Sequence, residues 1–174
     1  MKSREVRVLP YDSVWKDEFE KIKREIEPSL SGLILSVEHV GSTAVEGLCA
    51  KPCIDLDVII EDYAVFESVV ERLSKLGYIH EGDLGISGRE AFAYSDKEHL
   101  MTHHLYVCPK DSEELHRHLT FRNFLRKSPD AKARYAEAKM RAAALFPSDI
   151  NGYMKSKSVC IDELYKECGL THKS

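Results

Sequence analysis

Residues 40–58 read Val-Gly-Ser-Thr-Ala-Val-Glu-Gly-Leu-Cys-Ala-Lys-Pro-Cys-Ile-Asp-Leu-Asp-Val, and two features of this stretch set the architecture. A β-rich run, Leu33–Val40, passes directly into Gly41-Ser42-Thr43, where glycine lets backbone approach a ligand closely. If Ser42 or Thr43 opens a short helix, its first N–H groups make a site suited to phosphate. Twelve residues after Thr43 come Asp55 and Asp57, spaced i, i+2 in the strand-like run Ile54–Ile60. That spacing puts both carboxylates on one face and the apolar residues on the other. Two convergent carboxylates repel unless a hard cation sits between them, and oxygen-only ligation selects Mg2+ or Mn2+. A phosphate cradle beside a carboxylate-held metal is the equipment of phosphoryl or nucleotidyl transfer.

Outward from this stretch the chain alternates strand and helix signals. Glu5–Leu9 reads as a short strand or extended arm ending at Pro10. Asp12 or Ser13 caps a helix striped by Trp15, Phe19, Ile22 and Ile26 and stopped near Pro28. Asp62 caps a second helix, closed by Gly77. Ala91–Ser95 and Thr102–Cys108 flank a polar stretch as a hairpin would. Three helices follow: one from Asp111 or Ser112 to before Pro129, one from Asp130 to Phe146, and one from Ser148 or Asp149 to Gly169. The expected fold is α/β (α+β): a mixed sheet flanked by helices, with a C-terminal helical layer. One domain is expected over 1–174, its α/β core at about 1–110 and the helical layer at about 111–170.

Composition bounds the function. The 174 residues are 43% hydrophobic and 31% charged, which excludes collagen-like, low-complexity and disordered classes. Residues 31–110 carry 6 basic against 13 acidic side chains, and residues 111–174 carry 12 against 9. An acidic middle beside a basic end suits metal on one wall and phosphate on the other. A pI near 6.1 argues against nucleic acid as the main partner. No apolar run is long enough to span a membrane and no secretory signal is visible, so a cytoplasmic location is expected. Five cysteines at irregular spacing make no disulfide framework, and Cys49 and Cys53 read as small buried apolar residues.

The pattern resembles the polymerase-β-like nucleotidyltransferases, whose signature is Gly-Ser, a gap of about a dozen residues, then Asp-hydrophobic-Asp. HVGSTAVEGLCAKPCIDLDV, THHLYV, HLTFRNFLRKSP and YMKSKSVCI resemble the GrpB (glutamate-rich protein B) family within that superfamily, over nearly the whole chain. Glu46 stands where that family usually has proline, an exchange expected to loosen the turn. The superfamily normally supplies a third carboxylate from a later strand, whereas the strand expected here carries His103 and His104.

The resemblance implies a metal held by Asp55, Asp57 and His104, with Asp57 or His104 as the general base and Glu90 as the other third-residue candidate. Gly41, Ser42, Thr43, Lys51, Arg89, Arg122 and Lys157 are the expected substrate contacts, Lys157 lying four residues after Tyr153. Two functions stay open at this point. One is Mg2+-dependent transfer of a nucleoside monophosphate from an NTP to an unidentified acceptor. The other is a non-catalytic nucleotide- or metabolite-binding module on a degenerate form of the fold. The chain has no GxxxxGK[ST] loop, so it is not a P-loop kinase.

Overall fold

The computed structural model describes residues 5–170. Its strands are β1 (Ser36–Val40), β2 (Ile54–Ile60), β3 (Tyr78–Gly82), β4 (Glu90–Tyr94) and β5 (His103–Pro109). Its helices are α1 (Val14–Ile26), α2 (Phe66–Lys75), α3 (Glu113–Lys127), α4 (Pro129–Leu145) and α5 (Ile150–Glu167). The sheet runs β1-β2-β5-β4-β3, with β2 and β5 parallel and the other neighbours antiparallel.

The alternation of β2 divides the molecule. Ile54, Leu56, Val58 and Ile60 face a core built with Trp15, Phe19, Ile22 and Ile26 of α1 and Val69 and Leu73 of α2. Asp55, Asp57 and Ile59 face the other way, where Leu115 of α3 covers Ile59 and Cys108. Val45 and Leu48, just after the Gly-Ser turn, pack with Leu125, Ala131, Tyr135 and Leu164 of the last three helices. The C-terminal layer is thereby fastened to the turn that precedes β2. Among the described residues no helix is long and apolar enough to cross a membrane.

Several boundaries differ from the sequence reading. Of the two readings of residues 5–9 the extended arm holds, with Leu9 exchanging hydrogen bonds of 2.9 and 3.0 Å with Ala50 and the Val6 N–H reaching the Pro147 carbonyl at 2.9 Å. The run from Leu33 begins as a turn, with the Leu33 N–H bonded to the Leu30 carbonyl, so pairing starts at Ser36. Helix α4 is capped by Ser128, whose side chain accepts from the Ala131 N–H, and not by Asp130; Pro129 takes the first helical position, where its missing N–H costs nothing. The turn at Glu46 is closed despite the absent proline. The Leu48 N–H reaches the Val45 carbonyl at 3.2 Å, and Lys132 Nζ donates to the Glu46 carbonyl at 3.0 Å.

Ser112 caps α3 through the Leu115 N–H at 3.3 Å and donates to the Gly88 carbonyl at 2.8 Å, tying the loop before β4 to the helix. Ser112→Ala removes both contacts and is expected to cost about 1–2 kcal/mol, read as a lower urea midpoint.

Candidate functional site

The site is assembled where β1 ends and β2 and β5 run side by side. Gly41 has φ 74° and ψ −173°, and a Cβ there would lie 2.5 Å from Asp55 Oδ2, so only glycine permits this approach. Ser42–Ala44 then form a single 3-10 turn. Its bonds use the N–H groups of Ala44 and Val45, not those of Ser42 and Thr43. In register, Asp55 neighbours His104 on β5, Asp57 neighbours Tyr106, and Glu38 on β1 lies opposite Asp57. These side chains share the face crossed by α3.

Each aspartate holds a histidine. His104 Nδ1 meets Asp55 Oδ1 at 2.9 Å, on a half-open rim. Asp55 first, and then the Cys53 thiol, push the His104 pKa up to about 10. Deeper in, His118 Nδ1 of α3 meets Asp57 Oδ2 at 2.6 Å, and its Nε2 lies 3.3 Å from Glu114. Burial disfavours the charged ring of His118, but Asp57 and Glu114 outweigh it and raise its pKa to about 9. Burial also pushes the Asp57 carboxyl upward against the pull of His118. The side chain of Asp57 is fully buried, and its Oδ1 has no hydrogen-bond partner among the described residues.

The cleft beside this pair has a volume of about 220 Å³ and is lined by Gly41, Ser42, Asp55, His118, Arg122 and Lys157, among others. Of the expected contacts, Gly41, Ser42, Arg122 and Lys157 meet there. Arg122 is anchored, donating from Nη1 to Glu38 at 2.8 Å and to the His39 carbonyl at 2.9 Å. Lys157 sits over the Tyr153 ring at 5.0 Å, and burial lowers its pKa while Asp55 raises it.

Three expectations need correction. The Thr43 side chain faces inward, its hydroxyl 2.9 Å from the buried ring of His39, so it braces the turn and makes no side-chain contact in the cleft. Lys51 is exposed and does not line the cleft. Glu90 pairs with Val107, which puts it on the α2 face, where it meets His80 at 2.9 Å and Tyr63 at 3.4 Å; it is no partner for the aspartates. Arg89 stacks over Tyr106 at 4.3 Å, and its charge reaches Asp57 from the β4 side.

Two residues went unread in the sequence. His118 opens the HLTFRNFLRKSP segment, and nothing beside it in sequence marks it as the partner of Asp57. Lys139 is only 3% exposed. Its Nζ donates to the Ser42 hydroxyl and, at 3.2 Å, to the Cys49 carbonyl. Burial, then the charge of Lys157, lowers its pKa to about 7.

The GrpB protein family model matches residues 5–167. The chain belongs to the GrpB family. Glutamate-rich protein GrpB of Alkalihalophilus pseudofirmus is 32% identical over 166 residues, covering 94% of this chain and 95% of that protein. UPF0157 protein YqkA of Bacillus subtilis is 30% identical over 154 residues, which are 88% of this chain and 44% of the length of YqkA. The crystal structure of GrpB from Enterococcus faecalis aligns with a TM-score of 0.80 at 33% identity, covering 93% of this chain and 96% of that one. The Cid1 poly(U) polymerase bound to MgATP aligns with a TM-score of 0.56 at 10% identity, covering 79% of this chain and 44% of that one. At that identity the likeness is one of fold: the GrpB-family sheet and its flanking helices are nucleotidyltransferase-like.

Proposed function

We propose that this chain binds a nucleoside triphosphate with Mg2+ or Mn2+ in the Gly41–Ser42 cleft and transfers the nucleoside monophosphate to an acceptor. The observation that carries this reading is Asp57 Oδ1, a buried carboxylate oxygen for which the described residues supply no donor, beside a second carboxylate. An unsatisfied buried acceptor of this kind calls for a cation. Asp55 and Asp57 would hold it, and it would neutralise charge on the phosphates and the departing pyrophosphate.

The chain's own residues supply the rest. The N–H groups of Ser42 and Thr43 and the Ser42 hydroxyl bind phosphate oxygens, with Lys139 fixing that hydroxyl from behind. Lys157 and Arg122 add positive charge on the helical side, and Arg89 on the β4 side. His104, held protonated by Asp55, is a donor at neutral pH, which leaves the base role to Asp57. Positioning and charge neutralisation carry most of the rate.

One observation favours the non-catalytic module instead. The β5 positions beside the aspartates are His104 and Tyr106, and the other carboxylate on that face, Glu38, is paired with Arg122. Both readings are tested by unfolding the chain with each of the four common NTPs and Mg2+. Ligand at about a hundred times its Kd adds about 2.7 kcal/mol to stability. Asp57→Asn is expected to remove the Mg2+-dependent part of that shift, its amide oxygen still accepting from His118. With a small-molecule extract added as the source of acceptor, pyrophosphate release selects the transferase, and a shift without release selects the binding module. No shift with any NTP contradicts both.

A further inference from the structure

The geometry points to a second, sulfur-containing metal site at Cys53, Asp55 and His104, suited to a thiophilic divalent ion of the zinc class. Cys53 immediately precedes β2. Its N–H closes a tight turn onto the Lys51 carbonyl at 2.7 Å, and its position two residues before Asp55 puts both side chains on one side of the extended backbone. His104 comes from the parallel neighbour strand, in register with Asp55. One donor atom from each residue lies within 4.8 Å of the others, and no other such group of three occurs among the described residues.

The separations suit a small ion. His104 Nδ1 lies 2.9 Å from Asp55 Oδ1 and 3.8 Å from Cys53 Sγ. A tetrahedral ion with ordinary Zn–N, Zn–O and Zn–S lengths needs donor separations of roughly 3.3–3.6 Å, so these two pairs have only about 0.2–0.5 Å to move. The donor set decides the class of metal. Thiolate and imidazole select zinc-like ions, whereas Mg2+ demands oxygen ligands in a near-octahedral array. Burial of Cys53 on one side and exposure of His104 on the other give a dry sulfur with a solvent-side entry. Three protein ligands leave a fourth position for water, the pattern of an exchangeable site and not of a closed structural one. Cys53 enters as thiolate and His104 as a neutral ring bound through Nδ1, so binding releases both protons to solvent.

This site does not depend on the nucleotide reading, although the two share Asp55.

The test is titration of the metal-free chain with Co2+. One equivalent is expected to produce sulfur-to-cobalt charge-transfer absorption with tetrahedral ligand-field bands, abolished by equimolar Zn2+ and left intact by a large excess of Mg2+. Cys53→Ser should remove the charge-transfer band. His104→Ala, at a half-open position where folding is not at stake, should weaken Co2+ affinity about 10–100-fold. Absence of the band in the wild-type chain, its persistence in Cys53→Ser, its displacement by Mg2+, or unchanged affinity in His104→Ala overturns the assignment. None of these readouts involves an NTP, so failure here is distinct from failure of the nucleotide reading.

Discussion

Alanine at position 41 is expected to destabilise the protein by about 2–4 kcal/mol and to erase any Mg2+-NTP stabilisation. At φ 74° and ψ −173°, Gly41 occupies a region that L side chains avoid, and forcing one there costs on the order of 1–3 kcal/mol. Steric overlap adds to this, because the new methyl would lie 2.5 Å from Asp55 Oδ2 and 3.2 Å from Asp55 Cβ. Both partners are tethered. Gly41 accepts the Ala44 N–H at 3.2 Å, Val40 is in register with Asp55, and Asp55 is held by His104. Urea unfolding should show a lower midpoint at unchanged slope. A loss below about 1 kcal/mol would mean that the turn relaxes freely and is no fixed cradle.

The second large effect has the opposite sign. Lys139→Met is expected to stabilise the fold in mild acid while weakening ligand binding. In the unfolded chain this lysine titrates at the ordinary value of 10.5, and in the folded chain burial lowers it to about 7. The unfolded state therefore binds more protons between these values, so the lysine's contribution improves as pH rises. Below about pH 7 the amine is charged in both states and the full penalty, on the order of a few kcal/mol, is present. Above the unfolded value the penalty is gone. Methionine keeps the length without the charge but forfeits the bonds to Ser42 and the Cys49 carbonyl, at about 1 kcal/mol each. The variant should be more stable than wild type at pH 6 and less stable near pH 10. A difference independent of pH would show that Lys139 is not desolvated as its burial implies. With Ser42 no longer held, the NTP-induced shift should fall even where the variant is more stable, the usual conflict between a strained site and a relaxed one.

Local chemistry explains which parts of this molecule could be read in advance. The Asp55–Asp57 face, the Gly-Ser turn and the caps at Ser112 and Asp149 depend on residues within a few positions of one another, whereas Asp62 caps a 3-10 turn over Tyr63–Val65 and not α2 itself. The first two helices carry clean apolar stripes because each lies on one face of the sheet. β3 was harder: as an edge strand it buries only Tyr78 and exposes Ile79, His80 and Glu81, so it lacks the alternation that marks a half-buried strand. His118 and Lys139 were illegible for a different reason. Their partners, Asp57 and Ser42, lie 61 and 97 residues away in sequence, and nothing beside either residue announces them. A lysine in a charged helix looks solvated until the element covering it is known. The role of Thr43 was hidden otherwise: its partner His39 is four residues away, but the pair is buried only because β1 lies against α1, where Phe19 stacks on His39.

The parallel ladder between β2 and β5 governs when the site comes into being as well as where it stands. Residues 61–102, including α2, β3 and β4, must be looped out before Asp55 can meet His104, and α3 must then return for His118 to meet Asp57. Closure of long loops precedes the contacts that reward it, so such pairings form late. The β3–β4 hairpin and the α4–α5 pair can mature from nearby residues alone. A nascent or partly unravelled chain would therefore own its Gly41–Ser42 turn and its helices yet have neither the Asp55–His104 nor the Asp57–His118 pair. Ligand capture is consequently a report on completed assembly: whatever binds at Asp55 and Asp57 selects the finished molecule and ignores its precursors.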